Sequence, residues 1–146
     1  MKRRKLLLGL VAGLLLTSLP AFAADLVLAA DEVAIHYHRP DGNYKNWGVH
    51  AWKRAPGSSD QPLDGISWGS PATPDGSDDF GVYWKFKIKD FGSTGIVHYI
   101  IHKGDSKEQK GGDQQFDSKE AREIWVMSGD ATLYKSKAEA LAAAPR

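Results

Sequence analysis

From Glu32 onward the chain alternates apolar and polar positions with the two-residue period of β-strands, and almost nowhere with the period of a helix. Val33, Ile35 and Tyr37 alternate with Ala34, His36 and His38, which predicts a half-buried strand over 32–39. Pro40-Asp41-Gly42-Asn43 predicts a turn, because Pro presets φ and Gly or Asn accepts a positive φ; 48–53 then reads as the returning strand. The clearest strand is 80–88, with Phe80, Val82, Trp84, Phe86 and Ile88 on one face. Further strands are predicted at 96–102, 123–127 and 131–134, the last two around Ser128-Gly129-Asp130. The segment 55–79 is rich in Pro, Gly, Ser and Asp and reads as mostly loop around a short extended piece, anchored by Ile66 and Trp68; 103–118 reads as a polar loop. Only 136–144 has helical composition, stopped by Pro145. Short strands separated by turn signals predict an all-β antiparallel sandwich with a short C-terminal helix. No internal repeat is visible.

The N-terminus changes the picture of where this domain works. Lys2, Arg3, Arg4 and Lys5 precede the apolar run 6–16 and the small-residue site Ala21-Phe22-Ala23, the pattern of a secretory signal peptide over 1–23. That run is shorter than the roughly 20 residues a bilayer crossing needs, and no second one follows, so no membrane span is expected after cleavage. The expected product is one domain, 24–146, exported to the periplasm or the medium. Removing 1–23 leaves 15 Lys and Arg against 18 Asp and Glu, a net charge of −3, which argues against nucleic-acid binding. The absence of Cys excludes disulfides, thiolate metal sites and cysteine nucleophiles.

Candidate chemistry centres on aromatic residues. Alternation puts His50 and Trp52 on one strand face about 6 to 7 Å apart, a spacing that suits neighbouring sugar rings. On the residues alone Trp52 is better read as packing. Trp47, Trp84 and Trp125 are read as packing residues, and Trp68 is open between packing and site. Lys103, Asp105, Lys107 and Glu108 form a charged loop. His36 with His38, and His98 with His102, alternate in metal-like pairs, but no third ligand follows at a recognisable spacing, so neither metal nor cofactor is expected. Asp78-Asp79 does not suggest a glycosidase dyad on so small a sandwich, and no G-x-S-x-G is present; the chain is not expected to be an enzyme.

The segments I-H-Y-H-R-P-D-G-N-Y-K-N-W-G-V-H-A-W, D-D-F-G-V-Y-W-K, V-H-Y-I-I-H-K-G-D-S-K, Q-Q-F-D and E-I-W-V-M-S-G-D-A-T-L-Y occur in that order. In this the chain resembles the pullulanase-associated starch-binding domain, family 41 of the carbohydrate-binding modules, over about 31–137. The resemblance implies an immunoglobulin-like β-sandwich that binds α-1,4-linked glucans (maltooligosaccharides, starch, glycogen, pullulan) without catalysis. It places the aromatic pair at His50 and Trp52, which makes Trp52 an exposed ligand contact, a hydrogen-bonding Lys at Lys107 and an Asp at Asp113. The chain departs from the family in the smaller ring of His50 and in a Lys107-to-Asp113 loop, E-Q-K-G-G, one residue longer and lacking a Pro. As a stand-alone module it would capture glucan alone or beside a separate glucan-degrading enzyme. The alternative is an envelope interaction or structural sandwich that has lost sugar binding.

Overall fold

The computed structural model describes residue 13 and residues 25–144; the expected signal peptide, Gly13 apart, lies outside the described residues. Two sheets pack face to face. The first holds β1 (Glu32–His38), β4 (Gly76–Ser77), β5 (Val82–Lys87) and β9 (Glu123–Met127) in the order β4-β5-β1-β9. The second holds β2 (Gly48–Lys53), β3 (Gln61–Pro62), β6 (Ile96–Lys103) and β7 (Ser106–Lys107) in the order β3-β2-β6-β7, and β8 (Gln114–Asp117) also pairs with β6. The expected β-sandwich is therefore the fold, with one departure in hand. β9 runs parallel to β1, with Ala34 opposite Glu123 and His38 opposite Met127, because residues 118–122 carry the chain from β8 across to the other sheet.

The core follows the predicted alternation. Val33, Ile35 and Tyr37 from β1, Trp84 from β5 and Val126 from β9 meet Val49 and Ala51 from β2 and Val97, Tyr99 and Ile101 from β6. Trp84 is fully buried, and its Nε1 donates to the Ala72 carbonyl at 2.8 Å, so its burial leaves no polar atom unpaired. Trp47 packs against this cluster from its edge.

β1 is buried on both faces, not half-buried, since its outer face is covered as well. There Phe80, Met127 and Ala140 form a second cluster with Trp125 and Tyr134 beneath the helix α1 (Lys137–Ala143). Trp125 thus packs as expected, but outside the sandwich. Ser136 caps α1 by accepting from the Glu139 amide at 3.1 Å.

Three expected elements differ. The strand predicted at 80–88 is β5, Val82–Lys87, and Phe80 joins the outer cluster, because Asp78 Oδ1 accepts from the Phe80 and Gly81 amides and turns the chain just before β5. The strand predicted at 131–134 is a single bridge between Trp125 and Tyr134, where Asp130 accepts from the Thr132 amide and the Tyr134 hydroxyl. The loop predicted at 103–118 contains β7 and β8, and it buries Gln109, whose Oε1 accepts from the Tyr99 hydroxyl at 3.1 Å.

Candidate functional site

The outer face of the second sheet carries a row of rings. His50 and Trp52 alternate with core residues along β2, as do His98, Ile100 and His102 along β6. Register then sets them side by side, Trp52 opposite His98 and His50 opposite Ile100. Ring centroids lie 5.7 Å apart for His98 and Trp52, 5.6 Å for Trp52 and His50, and 6.4 Å for His50 and His102. Trp68 closes the row from the loop between β3 and β4, lying parallel on His102 at 3.8 Å and edge-on to His50 at 5.6 Å. Its Nε1 donates to Asp105 Oδ1 at 3.1 Å, which ties that loop to the turn after β6.

A shallow cleft of about 280 Å³ opens on this row, with His50, Trp52, Trp68, Ile100, Asp60 and Asp113 among its walls. Three of the four expected site residues, His50, Trp52 and Asp113, are thus brought together, and the fourth, Lys107, holds its Nζ over the Trp68 ring at 5.4 Å. The spacing of His50 and Trp52, 5.6 Å, is slightly shorter than alternation alone gives. The exposure expected of Trp52 is corrected: it is only 4% exposed, since His50, His98 and the paired Pro62 of β3 crowd its ring. Its Nε1 and the Nδ1 of His50 are buried without a hydrogen-bond partner among the described residues.

The loop that carries Lys107 and Asp113 is anchored between them. Glu108 Oε2 accepts from the hydroxyls of Tyr37 and Ser128 and from Arg39 Nη1. Burial and this carboxylate push the Tyr37 phenol well above its ordinary range. Gln109, Lys110 and Gly111 then take positive φ of 53°, 62° and 80°, a left-handed excursion that absorbs the length of E-Q-K-G-G; the buried Gln109–Tyr99 bond offsets the strain at the first.

Electrostatics keep His50 and His98 neutral. Burial and then the neighbouring His102 lower the pKa of His50, while burial and then Arg54 lower that of His98. Asp60 is held below the usual carboxylate range by the Arg54 guanidinium, which donates to both its oxygens at 2.6 Å.

The His pairs are absorbed by packing. His36 stacks on Trp125 at 4.7 Å and its Nε2 lies 3.1 Å from Glu123, while His38 Nδ1 donates to the Phe80 carbonyl at 2.6 Å. Among the described residues no group of three or more His, Asp or Glu is arranged to hold a metal ion. Sequence reasoning left Trp68 undecided, although a lone aromatic in a Gly- and Ser-rich loop was the available signal. It did not find Asp60, whose place depends on the β2–β3 pairing.

The model of the bacterial pullanase-associated domain family matches residues 31–135 of this chain. An α-amylase of Streptomyces lividans is 34% identical over 94 residues, 64% of this chain and 9% of that protein, so the chain spans under a tenth of this relative. Several solved structures share the fold. Family 41 carbohydrate-binding modules from streptococcal virulence factors, described for α-glucan recognition, align with a TM-score of 0.60 at 20% identity, over 76% of this chain and 50% of theirs. A Klebsiella pneumoniae pullulanase complexed with maltotriose aligns with a TM-score of 0.63 at 22% identity, over 80% of this chain and 12% of the pullulanase.

Proposed function

The chain belongs to the bacterial pullanase-associated domain family, and we propose from that premise that it is an exported, non-catalytic module binding α-1,4-linked glucans on the ringed face of its second sheet. The observation that carries the reading is the row of five rings from His98 to Trp68, flanked by Lys107 on one side and Asp113 on the other. Flat apolar rings match the C–H faces of pyranoses, a Lys donates to vicinal hydroxyls, and a carboxylate accepts from them. His50 presents the more accessible ring, while Trp52 is nearly covered, its indole N–H buried beside the Asp60 carboxylate. Hydrolysis of a glycosidic bond needs a carboxylic acid with a raised pKa, whereas the cleft's Asp60 is pushed the other way. The orphaned polar atoms of the row support a hydroxyl-rich ligand over an apolar one.

Calorimetric titration with maltotetraose, and with cellotetraose as control, tests this. The α-linked sugar alone binds, with an affinity in the roughly micromolar to millimolar range of shallow sites. Lys107→Ala and Asp113→Ala, both at exposed positions, each weaken it about tenfold while leaving the fold intact. Silence with both sugars sinks the reading and leaves an envelope sandwich that interacts with protein partners.

A further inference from the structure

The face holds a second and larger cleft that none of the four residues above lines. It measures about 650 Å³, inside the roughly 300–1,000 Å³ range of small-ligand sites. Trp47 and Tyr44 stand on one side, Ser70 and Thr73 on another, and His102 and Asp105 close it. Trp68 is a wall of both this cleft and the smaller one, so the two adjoin across a single indole.

The polar groups at this cleft are unfinished in the same way as those at its neighbour. His102 is 1% exposed, and its Nδ1 lies 2.8 Å from the Gly104 carbonyl. A carbonyl can only accept, so Nδ1 carries the proton and Nε2 is left, in the neutral ring, with a lone pair. No donor meets it among the described residues. The buried nitrogens His50 Nδ1 and His102 Nε2 have no hydrogen-bond partner among the described residues, and each belongs to a residue lining one of the two clefts. Lys107 holds its ammonium, with three donors, 5.4 Å from the centroid of the shared Trp68 ring.

We propose that the cleft between Trp47 and Trp68 is a second glucan subsite, continuous with the first across Trp68, where further glucose units lie beside Trp47 and their hydroxyls donate to His102 and Asp105. The inference rests on the α-glucan reading above and extends it from a site for short oligosaccharides to one that prefers longer chains. Trp68 covers the His102 ring at 3.8 Å and donates to Asp105 at 3.1 Å, so reaching the buried Nε2 requires a shift of that indole and release of this bond.

The test is titration of the whole chain with maltotriose and with maltoheptaose, in wild type, Thr73→Trp and His102→Phe. Thr73 is exposed at the cleft, so a Trp there fills the space without entering the core; Phe at 102 keeps a ring under Trp68 and removes the acceptor. Wild type should prefer maltoheptaose by about tenfold or more beyond the statistical advantage of its extra registers. Both variants should lose that preference, and Thr73→Trp, which lies outside the ring row, should bind maltotriose as wild type does. No preference in wild type, or a preference kept in Thr73→Trp, overturns the second subsite and leaves the first standing. A preference kept in His102→Phe alone removes His102 from it. If neither sugar binds wild type, the α-glucan reading falls and this inference with it.

Discussion

Gly81 shows how one residue positions a sheet. A Cβ added there would collide with the Tyr37 carbonyl oxygen and stand 2.7 Å from the Tyr44 hydroxyl, so β5 can start beside β1 only without a side chain at this position. Backbone cannot yield as a flexible side chain can, so Gly81→Ala should cost on the order of 3 kcal/mol, read as a lower urea midpoint with an unchanged slope. At His50 and His98 the issue is charge. Both have pKa values lowered by burial, whereas in the unfolded chain they titrate near 6.5. Above that pH both states are neutral and the rings contribute no pH dependence. As pH falls below it, the unfolded chain takes up protons that the folded rings refuse, and stability declines until the folded pKa values are passed. Wild type should therefore lose more stability between pH 7 and pH 5 than the double variant His50→Gln, His98→Gln; parallel melting profiles would show that the ring row does not resist protonation.

The element that decides the site is the loop from β6 to β8, and its hold is Glu108. Its side chain is 11% exposed, and removing it takes away the common acceptor of the Tyr37 and Ser128 hydroxyls, which are left with only the Arg39 Nη1 donor. Glu108→Ala should cost about 2–4 kcal/mol and raise amide exchange over 105–113, with glucan affinity falling although Glu108 lines neither cleft. Unchanged exchange in that loop would refute the anchoring role. None of this was legible in the charge run Lys103 to Glu108, because a polar string looks alike whether it is solvated or tied to a Tyr 71 residues away. The strands with a core face were legible: β1, β2, β6 and β9 follow their alternation almost to the residue. β7 and β8 were not, since short strands bonded mainly through the backbone need few apolar letters, and Phe116 is the one buried apolar residue of β8. At the site, His50 and Trp52 could be paired by period alone. That Trp52 would be buried could not, because His98 reaches it through the register of β2 with β6, and Pro62 through the pairing of β2 with a two-residue strand that no local pattern dictates.

Across the whole molecule the two sheets divide the work. The first has its outer face covered by α1 and the Phe80–Met127 cluster; the second opens two clefts outward beside a ring row in which His50 and Trp68 are half-buried and the other rings buried, and no helix among the described residues is long and apolar enough to cross a membrane. A ligand that binds only the folded sandwich must stabilise it, by about 2.7 kcal/mol at a hundred times its dissociation constant, which is about 10 °C for a domain of this size. Sidedness makes that shift diagnostic. Ser136→Ala removes the cap of α1 and should lower the melting temperature by about 1 kcal/mol worth of stability, yet the shift with maltotetraose should be the same as in wild type, because the covered sheet takes no part in binding. Asp113→Ala should do the reverse, melting like wild type without sugar and, with affinity about tenfold weaker, gaining only about half the wild-type shift at the same concentration. A full shift in Asp113→Ala together with a reduced one in Ser136→Ala would move the glucan to the helix-covered face. There the cleft of about 280 Å³ between Trp125 and Lys137 would be the place to look.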